Sequence, residues 1–214
     1  MKKYLAETIG TFALVFCGTG AIVINDVSGG AVGHLGIALS FGLIVMGMIY
    51  ATGDISGAHI NPAVTIGFAL SGSFALKQIL PYIISQLAGA ILASLLLKFL
   101  FPTNILLGAT MPSGSQMQSF VLEIVLTFFL MFTIINVANG SKETGTMAGL
   151  AIGGIVALEA AFAGPVCGAS MNPARSLAPA LVSGHFENLW IYLSAPVIGA
   201  AIAVYMFKLL KALK

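Results

Sequence analysis

Charged side chains are scarce in this sequence. Its 214 residues include nine Lys and Arg and seven Asp and Glu, whereas 58% of them are hydrophobic. About a quarter of the residues of a soluble domain are charged, so this chain lacks the polar surface that a soluble domain needs. The composition therefore excludes a soluble globular protein and predicts one that lies in lipid.

Cysteines and basic clusters are also rare. Cys17 and Cys167 have no metal-ligand spacing, and Cys17 lies in an apolar segment, which argues against a structural disulfide. No run of Lys or Arg is long enough to indicate nucleic-acid binding. Because the sequence shows neither a His and Cys cluster nor a Ser-His-Asp set, we expect no enzymatic activity, no cofactor and no bound metal.

The chain does contain six apolar segments that are long enough to cross a bilayer. A helix needs about 20 apolar residues to span a hydrocarbon core of ~30 Å. The segments cover approximately 4–24, 35–52, 79–100, 117–137, 147–162 and 189–210. The fifth is predicted to break at Gly164-Pro165. We therefore predict an all-α membrane protein with six transmembrane helices.

Two polar stretches interrupt this apolar pattern in the same way. Asn61-Pro62-Ala63 and Asn172-Pro173-Ala174 each place a favoured N-cap before a proline, which is itself favoured at the first helical position. Each helix is broken after about ten residues, at Ser71-Gly72 and Ser183-Gly184, so it is ~15 Å long and crosses only half of the membrane core. Polar backbone at that depth is tolerated only where protein buries it or water reaches it. The stretches therefore predict two half-helices beside a wet path.

The spacing of these features indicates an internal duplication. The two asparagines, 61 and 172, are 111 positions apart, and the Glu-x-x-x-Thr pairs that begin at Glu7 and Glu123 are 116 positions apart. We assign residues 1–101 to a first repeat and 116–214 to a second. Because each repeat contains three spans, an odd number, the repeats must be inverted and the half-helices must enter from opposite faces.

Two Asn-Pro-Ala boxes among six apolar spans, the second followed by Arg175, resemble the aquaporin or major intrinsic protein family. The contexts Ser-Gly-x-His-x-Asn-Pro-Ala-Val-Thr and Asn-Pro-Ala-Arg-Ser carry the resemblance, which covers the whole chain. It implies the aquaporin fold in a single channel domain of residues 1–214. It also implies a passive channel for water and small neutral solutes that excludes protons and ions, and a homotetramer in the lipid bilayer.

The midplane of such a channel carries its main polar groups. Both half-helices would point their N-termini there, each with about half a positive elementary charge. Asn61 and Asn172 would cap these helices and turn amide N–H groups toward passing water. Arg175 is the only Arg of the chain, and a lone charge in a membrane is a functional candidate by default. The resemblance places it in a constriction whose other members are Phe41, Ala160 and Ala169.

The backbone that leads into each half-helix is predicted to be non-helical, and the resemblance implies that its carbonyls line the pore. These loop residues are Gly57, Ala58, His59, Ile60, Gly168, Ser170 and Met171. The resemblance gives Glu7 and Glu123 a structural role as acceptors of loop hydrogen bonds, which suits buried carboxylates. Proton transport is the alternative role for them. Glu159 has no evident partner, and Arg175 or a loop donor would suit it.

The predicted constriction differs from that of strict water channels, which usually have His where Ala160 stands. Ala160 and Ala169 predict a wider, less polar opening. The chain looks most like the nodulin-26-like branch and its bacterial relatives, which pass glycerol, urea or undissociated metalloid acids as well as water. Ser176 is instead typical of water channels. A strict water channel remains an alternative, and so does a proton- or ion-coupled transporter.

The lysine positions predict the orientation. When six spans are threaded, only Lys98 and Arg175 lie away from a common side that holds Lys2, Lys3, Lys77, Lys142, Lys208, Lys211 and Lys214. By the positive-inside rule, both termini are then cytoplasmic. We expect a multi-pass protein of the cell membrane, either an inner or a plasma membrane.

Overall fold

The computed structural model describes residues 1–138, 140–141 and 145–213, and these contain helices and no β-strand. A 3₁₀ turn at Leu76–Gln78 precedes α4. The α-helices of the described residues are α1 (Lys2–Val27), α2 (Gly33–Ser56), α3 (Pro62–Ser71), α4 (Ile79–Leu100), α5 (Gln116–Ala138), α6 (Ala148–Cys167), α7 (Pro173–Ser183) and α8 (Leu189–Ala212). Lys142 and Lys214, which contribute to the predicted orientation, lie outside the described residues.

Within the described part of the chain, six helices are long and apolar enough to cross a membrane, as the sequence predicts. They pack in pairs: α2 lies against α6, α5 against α8, and α1 against α4. All three contacts are close because they involve glycine, as two examples show. A Cβ atom at Gly89 would collide with the carbonyl oxygen of Thr8 in α1, and one at Gly199 with that of Ile124 in α5. Small residues thus let the backbones approach each other.

The predicted break at Gly164-Pro165 is wrong, because α6 continues through both residues to Cys167. Proline has no N–H group and therefore leaves the carbonyl four residues earlier without its helical donor. Here that carbonyl belongs to Ala161. The imidazole Nε2 of His34, at the start of α2, lies 2.6 Å from it and replaces the missing donor.

The two half-helices have the bounds that their sequence signals predict. Helix α3 has 10 residues and α7 has 11. Asn61 and Asn172 are their N-caps, and each side-chain oxygen accepts a hydrogen bond from the backbone of its own first turn. Each helix is followed by a left-handed glycine, Gly72 with φ 88° and Gly184 with φ 84°. The absence of a Cβ atom lets glycine take this conformation at little cost.

Lysines from two long helices bind the C-terminal ends of the half-helices. Lys98 Nζ in α4 donates to Val182 O of α7 at 2.9 Å, and Lys208 Nζ in α8 donates to Leu70 O of α3 at 2.8 Å. A cation is favourable there because the helix dipole is negative at its C-terminus. Each half-helix is therefore tied to a long helix from the other half of the chain, which gives Lys98 a structural role.

Candidate functional site

The N-terminal ends of α3 and α7 meet inside the helix bundle. Asn61 Nδ2 donates to Met171 O, just before α7, at 2.8 Å, and Asn172 Nδ2 donates to Ile60 O, just before α3, at 2.9 Å. Both asparagines are buried. Each amide thus caps its own helix through oxygen and binds the opposite loop through one N–H. The nitrogen carries a second N–H that these bonds leave free for another acceptor.

The loops before the half-helices have an unusual backbone. Ala58 and Ile60 have φ of 47° and 42°, and Ala169 and Met171 have φ of 40° and 53°. These values lie in the left-handed region, which costs residues other than glycine on the order of 1–3 kcal/mol each. Such a conformation persists only where surrounding contacts impose it.

Glu7 and Glu123 supply those contacts. Both carboxylates are fully buried, and each accepts two backbone N–H groups from one loop at N–O distances of 2.7–2.9 Å. The donors are His59 and Ile60 for Glu7, and Ser170 and Met171 for Glu123. Hydrogen bonds to a charged group contribute about 1.5–3 kcal/mol each, which is enough to offset the cost of the left-handed residues.

Glu7 has two further donors that the sequence did not reveal. Ser56 Oγ lies 2.7 Å from Oε1, and Gln86 Nε2 lies 2.8 Å from Oε2. Gln86 also donates to Thr65 Oγ1 in α3, at 2.9 Å. It therefore joins a long helix, the carboxylate and a half-helix. In the sequence, Gln86 stands out only as a single amide in an apolar span.

Glu159 differs from the other two carboxylates. It is 2% exposed, and neither of its carboxylate oxygens has a hydrogen-bond partner among the described residues. The suggestion that it binds Arg175 or a loop donor is therefore not supported by the structure. It lies beside Ala160 on α6 and not in the lining of either cavity.

Two cavities, called the lower and the upper cavity here, lie on either side of the predicted constriction. The lower cavity, of about 390 Å³, extends to the end of α2 and the start of α6. The upper cavity, of about 440 Å³, extends to the connector 101–115. Within the described residues, only four line both cavities, and they are the four of the predicted constriction: Phe41, Ala160, Ala169 and Arg175.

The other predicted pore residues fall into two groups. The lower cavity is lined by the two box asparagines and by six loop residues, namely Gly57, Ala58, His59, Ile60, Ser170 and Met171, while Gly168 lines the upper cavity. The remaining box residues do not line either cavity and are buried behind the asparagines: Pro62, Ala63, Pro173 and Ala174. Proline and alanine therefore shape the helix start, and the amides face the cavity.

The connector contacts Arg175 at the predicted constriction. Its Nη1 donates to Gly108 O at 2.7 Å, and its guanidinium carbon lies 5.0 Å from the centre of the Phe41 ring. Gly108 has φ 73°, and a Cβ atom there would lie 2.8 Å from Cβ of Thr19. The connector can approach α1 and Arg175 this closely because residue 108 is glycine. Sequence reasoning missed this residue.

Comparison with known proteins identifies the family. A profile of the Major intrinsic protein family matches residues 1–207. The chain is 46% identical over 212 residues to Aquaporin NIP1-1 of Zea mays, covering 99% of this chain and 75% of that protein. It is 44% identical to Nodulin-26 of Glycine max, over 99% of this chain and 78% of that one.

The fold has a counterpart among solved structures. The X-ray structure of the aquaglyceroporin from Plasmodium falciparum matches 99% of this chain and 97% of its own with a TM-score of 0.90 and 26% sequence identity. The predicted fold, with six long helices and two half-helices, is thereby confirmed. This protein is an integral multi-pass membrane protein that belongs to the major intrinsic protein family, whose members are channels.

Proposed function

We propose that this protein is a passive channel for water and small neutral solutes of the glycerol, urea or undissociated metalloid acid type. The observation that carries the proposal is the pair of cavities that meet at one constriction. Two of its four members, Ala160 and Ala169, are alanines. Small side chains leave room for a solute larger than water. The similarity to an aquaglyceroporin supports the same conclusion.

Cation exclusion follows from the charges that face the path. The N-terminal ends of α3 and α7 meet at the lower cavity, and each carries about half a positive elementary charge. Arg175 adds a full positive charge at the constriction, where it is 2% exposed and shielded from bulk water. A cation that loses hydration there is repelled by these charges, whereas a neutral solute is not repelled and can accept hydrogen bonds from the same groups.

Proton exclusion follows from the asparagine amides. Each amide has one N–H bound to the opposite loop and a second one available to the cavity. A water molecule that accepts from both amides has to point its own hydrogens away along the path. The hydrogen bonds between successive water molecules then reverse direction at the asparagines, so a proton cannot be relayed through them.

The proposal also covers the internal repeats, the membrane orientation and the oligomeric state. The repeats 1–101 and 116–214 are inverted, the termini are cytoplasmic, and the protein forms a homotetramer in the cell membrane. The matching lysine caps at Lys98 and Lys208 support the duplication, because they occupy equivalent places in the two halves. The family resemblance supports the tetramer.

Flux measurements on reconstituted protein test the proposal. Stopped-flow light scattering on proteoliposomes would compare water, glycerol, urea and undissociated arsenous acid with empty liposomes of the same lipid. We expect water flux and at least one solute flux above the empty control, without saturation and with a low activation energy. Water flux alone would indicate a strict water channel, and saturable uptake coupled to a proton gradient would indicate a transporter.

A further inference from the structure

His34 lies at the upper end of the proposed path. It is exposed, it is the second residue of α2, two turns before Phe41, and it lines the upper cavity together with Arg175 and Ala160. Gly164 makes room for the ring, because a Cβ atom there would lie 3.0 Å from Cε1 of His34. The side chain thus stands at the entrance to the constriction from the connector side.

The hydrogen bond to α6 determines how far the His34 ring lies from the constriction. His34 Nε2 lies 2.6 Å from Ala161 O, the carbonyl that Pro165 leaves without a helical donor. Helix carbonyls point toward the C-terminus, so the ring lies about one turn, ~5 Å, above Ala160 on the side of the connector. An imidazole is therefore present next to the position where strict water channels usually have one, but it comes from α2.

The same contact determines what the ring offers to a solute. A carbonyl oxygen only accepts hydrogen bonds, so Nε2 must carry the proton. In the neutral ring Nδ1 is then an acceptor, and it has no hydrogen-bond partner among the described residues. The upper cavity thus contains an acceptor at His34 and a donor at the Arg175 guanidinium.

We infer that His34 is a further specificity-determining residue of this channel, which binds hydroxyl groups of neutral solutes as they enter the constriction. The inference rests on the proposed function. A solute with several hydroxyl groups loses hydration at the constriction, and each hydroxyl both donates and accepts. It can use Nδ1 of His34 and the guanidinium of Arg175 together. A single water molecule loses less hydration there and depends less on this pair.

Two variants at one position test the inference. His34→Leu removes both nitrogens and keeps an apolar side chain of similar reach, whereas His34→Gln keeps a donor for Ala161 O and an acceptor for the cavity. One lost hydrogen bond corresponds to about fivefold in a rate, so we expect the ratio of glycerol to water permeability to fall about fivefold in His34→Leu. His34→Gln should keep the ratio within about twofold of the unmodified protein.

The outcomes separate the inference from the proposed function and from a purely structural role. If the unmodified protein passes none of the tested solutes, the proposed function fails, and the inference fails with it. If it passes urea but neither glycerol nor arsenous acid, only the inference fails. If it passes glycerol and the ratio is the same in His34→Leu, only the inference fails. A structural anchor would change the thermal stability, or both fluxes equally, without changing the ratio. A lower ratio in both variants would also overturn the inference, because Gln retains the two hydrogen-bonding functions.

Discussion

Replacing Glu123 with Gln tests how the second loop is held. The two carboxylate oxygens accept Ser170 N at 2.7 Å and Met171 N at 2.8 Å. Glutamine has one acceptor oxygen, and its NH₂ group would face the other backbone N–H. One charge-assisted bond is lost, at about 1.5–3 kcal/mol, and a buried N–H without an acceptor costs about 1–3 kcal/mol more. We therefore expect Glu123→Gln to destabilise the fold by about 4 kcal/mol.

The matched control is Glu159→Gln. Glu159 is also a buried carboxylate within a long helix, but neither of its oxygens has a partner among the described residues. Removing its charge breaks no hydrogen bond of the described structure, so the variant should be as stable as the unmodified protein or more stable. The pair therefore separates the loss of loop contacts from the loss of a buried carboxylate in general.

The difference in melting temperature between the two variants can be measured in detergent, with size-exclusion chromatography after heating to quantify the protein that stays folded. A loss of about 4 kcal/mol in a chain of this size lowers the melting temperature by about 10 °C. Because Met171 accepts from Asn61, the displaced loop should also reduce water flux in proteoliposomes. An unchanged melting temperature in Glu123→Gln, or equal losses in both variants, would refute the role assigned to this carboxylate.

Two further predictions concern the basic residues. Arg175→Ala removes the cation at the constriction and its bond to Gly108 O, so proton and sodium leak into proteoliposomes should rise; an unchanged leak would count against its role in ion exclusion. Lys98→Met and Lys208→Met each remove a half-helix cap worth about 1 kcal/mol and should lower the melting temperature by about 3 °C. Arginine at either position should lower the melting temperature less, because it keeps a cation. If the Met variants were as stable as the unmodified protein, the capping role would be contradicted.

The half-helices could be predicted because their signals are local. Asn61 and Asn172 precede prolines at the start, and Gly72 and Gly184 follow at the end, and each of these residues acts on its immediate neighbours. The structure has the same starts and ends. The six spans could be predicted for a similar reason, since length and hydrophobicity are properties of a single segment.

Features that depend on distant partners could not be predicted from local signals, and the loop contacts of Glu7 and Glu123 were predicted only from the family resemblance. Helix α6 continues through Pro165 because His34, 127 positions before Ala161, donates to the freed carbonyl. Ile60 and Met171 are bulky residues in left-handed conformations, which no local preference favours. Buried carboxylates 53 and 48 positions earlier in the chain bind these residues in that conformation. Such contacts are formed only once the fold has brought the segments together.

The wide constriction is the central claim, and Ala160→His tests it most directly. Ala160 lines both cavities, so an imidazole there would narrow the opening between them. The measurement is the ratio of glycerol to water permeability in proteoliposomes that contain equal amounts of folded protein. We expect glycerol flux to fall much further than water flux, so that the ratio drops toward that of a strict water channel. An unchanged ratio, with glycerol still passing, would contradict the claim that Ala160 sets the width of the path.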